Sequence, residues 1–288
     1  MASFWKSTAI TLEMIKWEHS VFALPFALTG AVLAAGGWPT LRVLGWIAVC
    51  MVTARSAAMA FNRLADARLD AANPRTAMRA LPAGTLSNGF VAGFVVASMA
   101  VFVLGAAMLN RLTLELAPAA LAVILVYSYM KRVTRWSHLV LGLALGIAPT
   151  AAWIAVRGSL DWRIVVLTGA VLLWVGGFDV LYACQDYEHD RRVGLNSVPQ
   201  AFGLAAAFWI ARAMHVGMLL MLCWLIALFG LGKVAMLGVA VVAILLLYEH
   251  SIISPKDLRR MNAAFFTLNG VISVVFFGFV AADVLMRR

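Results

Sequence analysis

Two rows of oxygen-bearing side chains interrupt an otherwise apolar chain. Asn62, Asp66 and Asp70 recur every fourth residue in NRLADARLD, and Asp179, Tyr182, Asp186 and Asp190 are spaced three, four and four in DVLYACQDYEHD. Residues four apart on an α-helix share a face, so each set forms one line of side-chain oxygens. Both lines follow apolar runs long enough to cross a bilayer, about 20 residues. A carboxylate within such a run is costly, on the order of 2.5–3.5 kcal/mol at the bilayer centre. The negative end of the helix dipole adds to the cost. Two such acidic clusters facing one another make physical sense if cations lie between them. All-oxygen donors select hard ions, Mg²⁺ or Ca²⁺. Mg²⁺ typically joins a few carboxylates to substrate phosphates.

Basic partners for phosphate lie close by in sequence. Arg75 and Arg79 follow the first motif, Lys131 and Arg132 end a later apolar run, and Arg191 and Arg192 follow the second motif. Acids, a hard divalent cation and bases around a membrane cavity point to a lipid diphosphate. Arg63, Arg68 and Arg135 read as positive anchors at the membrane surface. Arg55 precedes Asn62 by two helical turns on the same face and is a candidate partner for a carboxylate deeper in the cavity. Arg212 and His215 read as helix-packing groups, and Glu249 and His250 as markers of the inner interface.

The elements that must hold these residues follow from composition. The 288-residue chain is 64% hydrophobic and 12% charged, far from a soluble balance. Nine spans are expected, at about 20–37, 41–61, 89–109, 114–130, 138–156, 163–185, 203–229, 232–249 and 263–284, the first of them short. The fold class is all-α, a polytopic membrane bundle around a central cavity. A membrane β-barrel would show short alternating strands. Residues 1–18 lack the apolar core of a signal peptide and mix Trp5, Leu12 and Trp17 with Lys6, Lys16 and Glu18, as an amphipathic interfacial segment does. With the N-terminus inside, the inner segments carry about twice as many Lys and Arg as the outer ones, which favours that orientation and an inner-membrane protein. The net charge of +10 then reflects topology rather than nucleic-acid binding, which would need a basic face on a soluble module. Cys50, Cys184 and Cys223 show neither disulfide nor zinc spacing.

One integral-membrane domain over 1–288 is expected, with cytoplasmic motif loops at 62–88 and 186–200. Asp66 and Asp70 reappear as Asp186 and Asp190 at an offset of 120 residues, and Pro82–Gly84 is echoed by Pro199–Gly203. This suggests two related four-helix halves with a ninth helix appended. Internal repeats in membrane proteins often place the site between them.

These residues resemble the UbiA superfamily of membrane-embedded prenyltransferases. Asn62, Asp66 and Asp70 match its N-x-x-x-D-x-x-x-D motif, and Asp186 and Asp190, with Asp179 and Tyr182 upstream, match its second aspartate motif. NPRTAMRALPAGTLS (73–87) looks like the segment after motif one, and YSYMKR (127–132) like the loop between the fourth and fifth helices. HSVFALPFALTGA (19–31) is similar to the first helix of 4-hydroxybenzoate polyprenyltransferase-like members. The resemblance implies Mg²⁺ held by Asn62, Asp66, Asp70, Asp186 and Asp190. It implies a donor diphosphate held by Lys16, Arg75, Arg79, Lys131 and Arg132, and Asp179, Tyr182 and Tyr127 orienting Lys131 or the acceptor. The expected reaction moves a polyprenyl group from polyprenyl diphosphate to an aromatic acid, 4-hydroxybenzoate or a dihydroxynaphthoate, in ubiquinone or menaquinone biosynthesis. Sister branches that prenylate haem, chlorophyllide or glycerol phosphate lipids remain alternatives. An ion-coupled transporter is another, although its acids would sit nearer the midplane.

Overall fold

The computed structural model describes residues 10–11, 13–15, 23–261 and 267–287. Lys16 and most of the 1–18 segment lie outside the described residues. The chain runs through α1 (Leu24–Ala35), α2 (Leu41–Ala72), α3 (Asn88–Leu109), α4 (Arg111–Met130), α5 (Ser137–Arg157) and α6 (Trp162–Ala183). A 3₁₀ turn at Cys184–Asp186 leads into α7 (Tyr187–Val193) and α8 (Val198–Phe202), followed by α9 (Leu204–Leu228), α10 (Lys233–Ile252) and α11 (Asn269–Met286).

Local chemistry sets the ends of these helices. Ser87, Asn110, Asp161 and Ser197 each accept a backbone N–H of the first turn of the helix they precede, which satisfies otherwise orphaned donors. Gly36 and Gly158 stop α1 and α5 in the left-handed conformation that glycine adopts without strain.

Among the described residues, eight helices are long and apolar enough to cross a membrane. The expected count of nine is not confirmed among them. The described part of the first span, α1, has 12 residues, about 18 Å of helix against a hydrocarbon core of about 30 Å. An expectation to correct is the end of span two. α2 continues through the first motif to Ala72, 32 residues in all, so the loop begins at Asn73 rather than Asn62. The stretch RLADARLDAA is rich in Ala, Leu and Arg, strong helix formers that carry the helix on after its hydropathy falls. The 186–200 loop is likewise largely helical, formed by α7 and the start of α8.

α6 is the central helix. Ile164, Leu167, Ala170, Val171, Trp174 and Val175 are buried along it and pack on Phe26 of α1, Met218 and Leu222 of α9, and Ile272 and Phe276 of α11. α5 lies against α6 so closely that a Cβ on Gly142 would collide with the Leu172 carbonyl, and one on Gly146 would come within 2.8 Å of the Thr168 carbonyl. Gly30 of α1 meets the backbone of Pro149 in the same way. Small residues allow backbones to approach where no hydrophobic force joins helices in lipid. α2 packs along α3 and α4. The two motifs thus end the two helices that organise each side of the bundle.

Candidate active site

Asp66 and Asp70 are buried on the last turns of α2, 3% and 6% exposed. Asn62 Nδ2 donates to Asp66 Oδ2 at 3.2 Å, as the four-residue spacing requires. Asp66 then draws two cations from the end of α4. Lys131 Nζ donates to its Oδ2 at 2.6 Å and Arg132 Nη2 to its Oδ1 at 2.9 Å. Arg132 also donates to the Ala65 carbonyl at 2.7 Å, tying the two helix ends together. Arg79 reaches back from the following loop, its Nη1 lying 2.8 Å from both oxygens of Asp70. Thr76 Oγ1 donates to the Asp70 carbonyl and helps close the helix end.

The second motif is not one continuous α-helical line. The 3₁₀ turn interrupts it, and Asp186 and Asp190 find different partners. Arg75 donates to Asp186 as a fork, Nε to Oδ1 at 2.9 Å and Nη2 to Oδ2 at 2.5 Å. Asn73 Nδ2 adds a third bond to Oδ1 at 3.1 Å. The Arg75 guanidinium lies 5.7 Å from the Tyr182 ring centroid. Burial opposes the charge on Arg75, but the hydrogen bonds and charge of Asp186 outweigh it and hold the guanidinium above its ordinary pKa. Asp190 accepts Ser197 Oγ at 3.0 Å. Asp179, one turn deeper than Tyr182, pairs with His138 Nδ1 at 2.7 Å.

Residues from both motifs and from the loops after α2 and α4 therefore meet at one end of the bundle. In this arrangement each aspartate is engaged by its own polar partners. Among the described residues, no three of His, Cys, Asp and Glu come together closely enough to hold a metal. Arg75, Arg79, Lys131 and Arg132, the bases expected to grip phosphate, pair here with the carboxylates. Opposite charges at a low-dielectric helix end pair with their nearest partners. Deeper in α2, Arg55 Nε is buried without a hydrogen-bond partner among the described residues. Tyr127 of α4 lies within electrostatic reach of Asp179, Arg63, Asp66 and Arg55.

Three residues of this end were missed by sequence reasoning. Asn73 continues the Asn62–Asp66–Asp70 series by one further turn, which spacing alone could have suggested. Ser197 and Gln200 form the S-x-x-Q pattern of a helix start. His138 gave no signal, because its partners lie 41 and 60 residues away. Outside the site, His215 bonds His250 and the Trp174 carbonyl. Glu249, expected at the interface, is 1% exposed and hydrogen-bonded to Asn269. Asn269 in turn accepts Trp174 Nε1 at 2.8 Å.

The candidate site is thus a pair of acid-rich helix ends bridged by bases at one end of a helical membrane bundle. Residues 23–271 match the UbiA prenyltransferase family, and the chain belongs to it. It is similar to 4-hydroxybenzoate solanesyltransferase of Synechocystis sp., 34% identical over 73% of this chain and 76% of that one. It is also similar to 4-hydroxybenzoate octaprenyltransferase of Vibrio cholerae, 33% identical over 85% and 86%. Among solved structures, a UbiA homologue from Aeropyrum pernix K1 superposes with a TM-score of 0.84 at 32% identity, covering 92% of this chain and 98% of that one. The fold is shared with a UbiA homologue from Archaeoglobus fulgidus solved with DMAPP and Mg²⁺, TM-score 0.71 at 18% identity, covering 96% and 99%. The protein is a multi-pass membrane prenyltransferase.

Proposed function

We propose that the protein transfers a polyprenyl group from polyprenyl diphosphate to an aromatic acid, 4-hydroxybenzoate or a dihydroxynaphthoate, in quinone biosynthesis. The observation that carries this reading is the meeting of both motifs with Arg75, Arg79, Lys131 and Arg132 above a buried, incompletely partnered Arg55. The names of the two curated relatives support the acceptor class.

The donor set fits Mg²⁺. Asn62, Asp66, Asp70, Asp186 and Asp190 offer only oxygen, as a hard cation requires, and would hold it together with the diphosphate. Bound there, Mg²⁺ neutralises charge developing on the leaving group. The chain's own residues do the remainder. Arg75, Arg79, Lys131 and Arg132 exchange carboxylate for diphosphate oxygens through charge-assisted hydrogen bonds, with Lys16 as a further candidate. The carbon–oxygen bond to diphosphate breaks, the allylic carbon bonds to a ring carbon of the acceptor, and the ring carbon releases its proton. Arg55 holds the acceptor carboxylate, and Tyr127, Asp179 and Tyr182 orient the ring. Walls of apolar helix exclude water that would otherwise capture the allylic cation left when that bond breaks. The excess of Lys and Arg at these ends supports a cytoplasmic site in the inner membrane.

The test is an acceptor screen with purified protein, Mg²⁺ and a medium-length prenyl diphosphate. 4-Hydroxybenzoate, 1,4-dihydroxy-2-naphthoate and 1,4-dihydroxy-6-naphthoate are offered, and product mass names the acceptor. Asp66→Ala and Asp186→Ala should abolish transfer in protein that still elutes as a folded species in detergent. Full turnover by either variant, or no product with any of the three acids, refutes the assignment.

A further inference from the structure

Three consecutive residues, Asn196, Ser197 and Val198, each touch a different part of the site. The Asn196 N–H donates to the Lys131 carbonyl at 2.8 Å. Ser197 Oγ donates to Asp190 Oδ2 at 3.0 Å while accepting the Gln200 N–H at 3.3 Å. The Val198 N–H donates to His138 Nε2 at 3.2 Å, and His138 Nδ1 lies 2.7 Å from Asp179 Oδ2. His138 is 4% exposed, so water does not replace either partner.

The two contacts of His138 define its tautomer. A backbone N–H can only donate, so Nε2 must accept and the ring proton sits on Nδ1, aimed at Asp179. Placing a second proton on Nε2 would set two N–H groups against each other. The imidazole therefore gives Asp179 a hydrogen bond without giving it a countercharge. Among the described residues no hydrogen bond engages the other oxygen, Oδ1. Asp179 is left as an oriented acceptor, one helical turn below Tyr182 and within electrostatic reach of Tyr127.

We propose that His138 is a positioning residue that fixes the orientation of Asp179 toward the acceptor, itself held by the Asn196–Val198 turn. The inference rests on the reaction proposed above. It deepens that reading by assigning a part to a residue outside both aspartate motifs. The turn that fastens His138 also fastens Asp190 and the residue bearing the Asp66 ammonium partner. Asp179 is thus registered to the same hub as the diphosphate end of the site. A polar group held by a buried partner is pre-organised, and loss of such support commonly costs on the order of 10- to 100-fold in activity.

The test is a double-mutant cycle on steady-state prenyl transfer, with His138→Leu, Asp179→Asn and the double variant, and His138→Asn as the conservative replacement. Each single variant should lower kcat by on the order of 10- to 100-fold, with KM for the prenyl diphosphate within about twofold of the parent. The double variant should be no slower than Asp179→Asn alone, because the histidine acts only through the aspartate. His138→Asn puts an amide N–H near the place of Nδ1–H and should recover most of the activity lost in His138→Leu. If His138 merely anchors the turn, both variants strand the Val198 N–H, lose activity equally, and multiply with Asp179→Asn. Either result overturns the inference while leaving the prenyl-transfer reading intact. Absence of transfer by the unaltered protein overturns both.

Discussion

Arg75 and Arg79 each hold an aspartate of the site, but in different geometries, and replacement by lysine separates them. Arg75 uses two nitrogens, Nε and Nη2, one to each oxygen of Asp186. Arg79 uses a single nitrogen, Nη1, placed between both oxygens of Asp70. An ammonium can reproduce the second arrangement but not the first. Arg75→Lys therefore loses one charge-assisted hydrogen bond, about 1.5–3 kcal/mol when buried. The Arg75 side chain is 35% exposed and that of Asp186 20%, so solvent screening reduces this to about 1 kcal/mol. Arg79→Lys keeps its contact and should cost about 0.5 kcal/mol or less. For a chain of this size 1 kcal/mol moves Tm by roughly 2–4 °C. Thermal unfolding in detergent without added Mg²⁺ reads the difference, and a cycle with Asp186→Asn isolates the coupling. Equal shifts for the two lysine variants, or a larger one for Arg79→Lys, would show that the fork geometry carries no energy and refute the reasoning.

Two further outcomes follow from the site and from the packing. Mg²⁺ with inorganic diphosphate at a hundredfold excess over Kd should stabilise the protein by about 2.7 kcal/mol, raising Tm by roughly 5 °C or more, and EDTA should reverse it. No shift in calorimetry or fluorescence-detected melting would contradict the proposed oxygen-donor site. Gly142→Ala drives a methyl into the Leu172 carbonyl and should cost about 1–3 kcal/mol, seen as a lower melting point and poorer recovery of folded protein. Gly93→Ala meets nothing within 4 Å and serves as the contrast, within about 1 kcal/mol of the parent.

What the sequence revealed and what it hid divide along physical lines. The period-four spacing of Asn62, Asp66 and Asp70 was legible because neighbours on one helix are set by local geometry, and the Asn62–Asp66 hydrogen bond follows from it. Glycines at 30, 142 and 146 mark points of close approach between helices, a use that the residue type itself suggests in an apolar helix. The cationic partners of Asp66 and Asp186 were not legible. Arg75 lies 111 residues from Asp186 and Lys131 lies 65 from Asp66, and no pattern within one element encodes such pairings. The end of α2 was misread because a fall in hydropathy looked like the end of a helix, whereas Ala, Leu and Arg carry the helix on into polar surroundings. Glu249 was misread for the opposite reason. A carboxylate at the end of a span suggests an interface, but Asn269 gives it a partner and closes it inside the bundle.

The length of α2 has a consequence for substrate choice. Its 32 residues span about 48 Å, more than the hydrocarbon layer needs. The proposed carboxylate anchor and the diphosphate clamp stand on this one rigid rod. Arg55 and Asn62 are seven residues apart, about 10 Å along the axis and on nearly the same face. With the proposed roles, the rod would work as a ruler, marking how long an acceptor can be between its acid group and the carbon that is alkylated. Inserting one residue between the marks would turn them about 100° out of line, and inserting four would restore the line with the gap lengthened by about 6 Å. On this view the size of the ring the enzyme accepts is written in a residue count along a single helix.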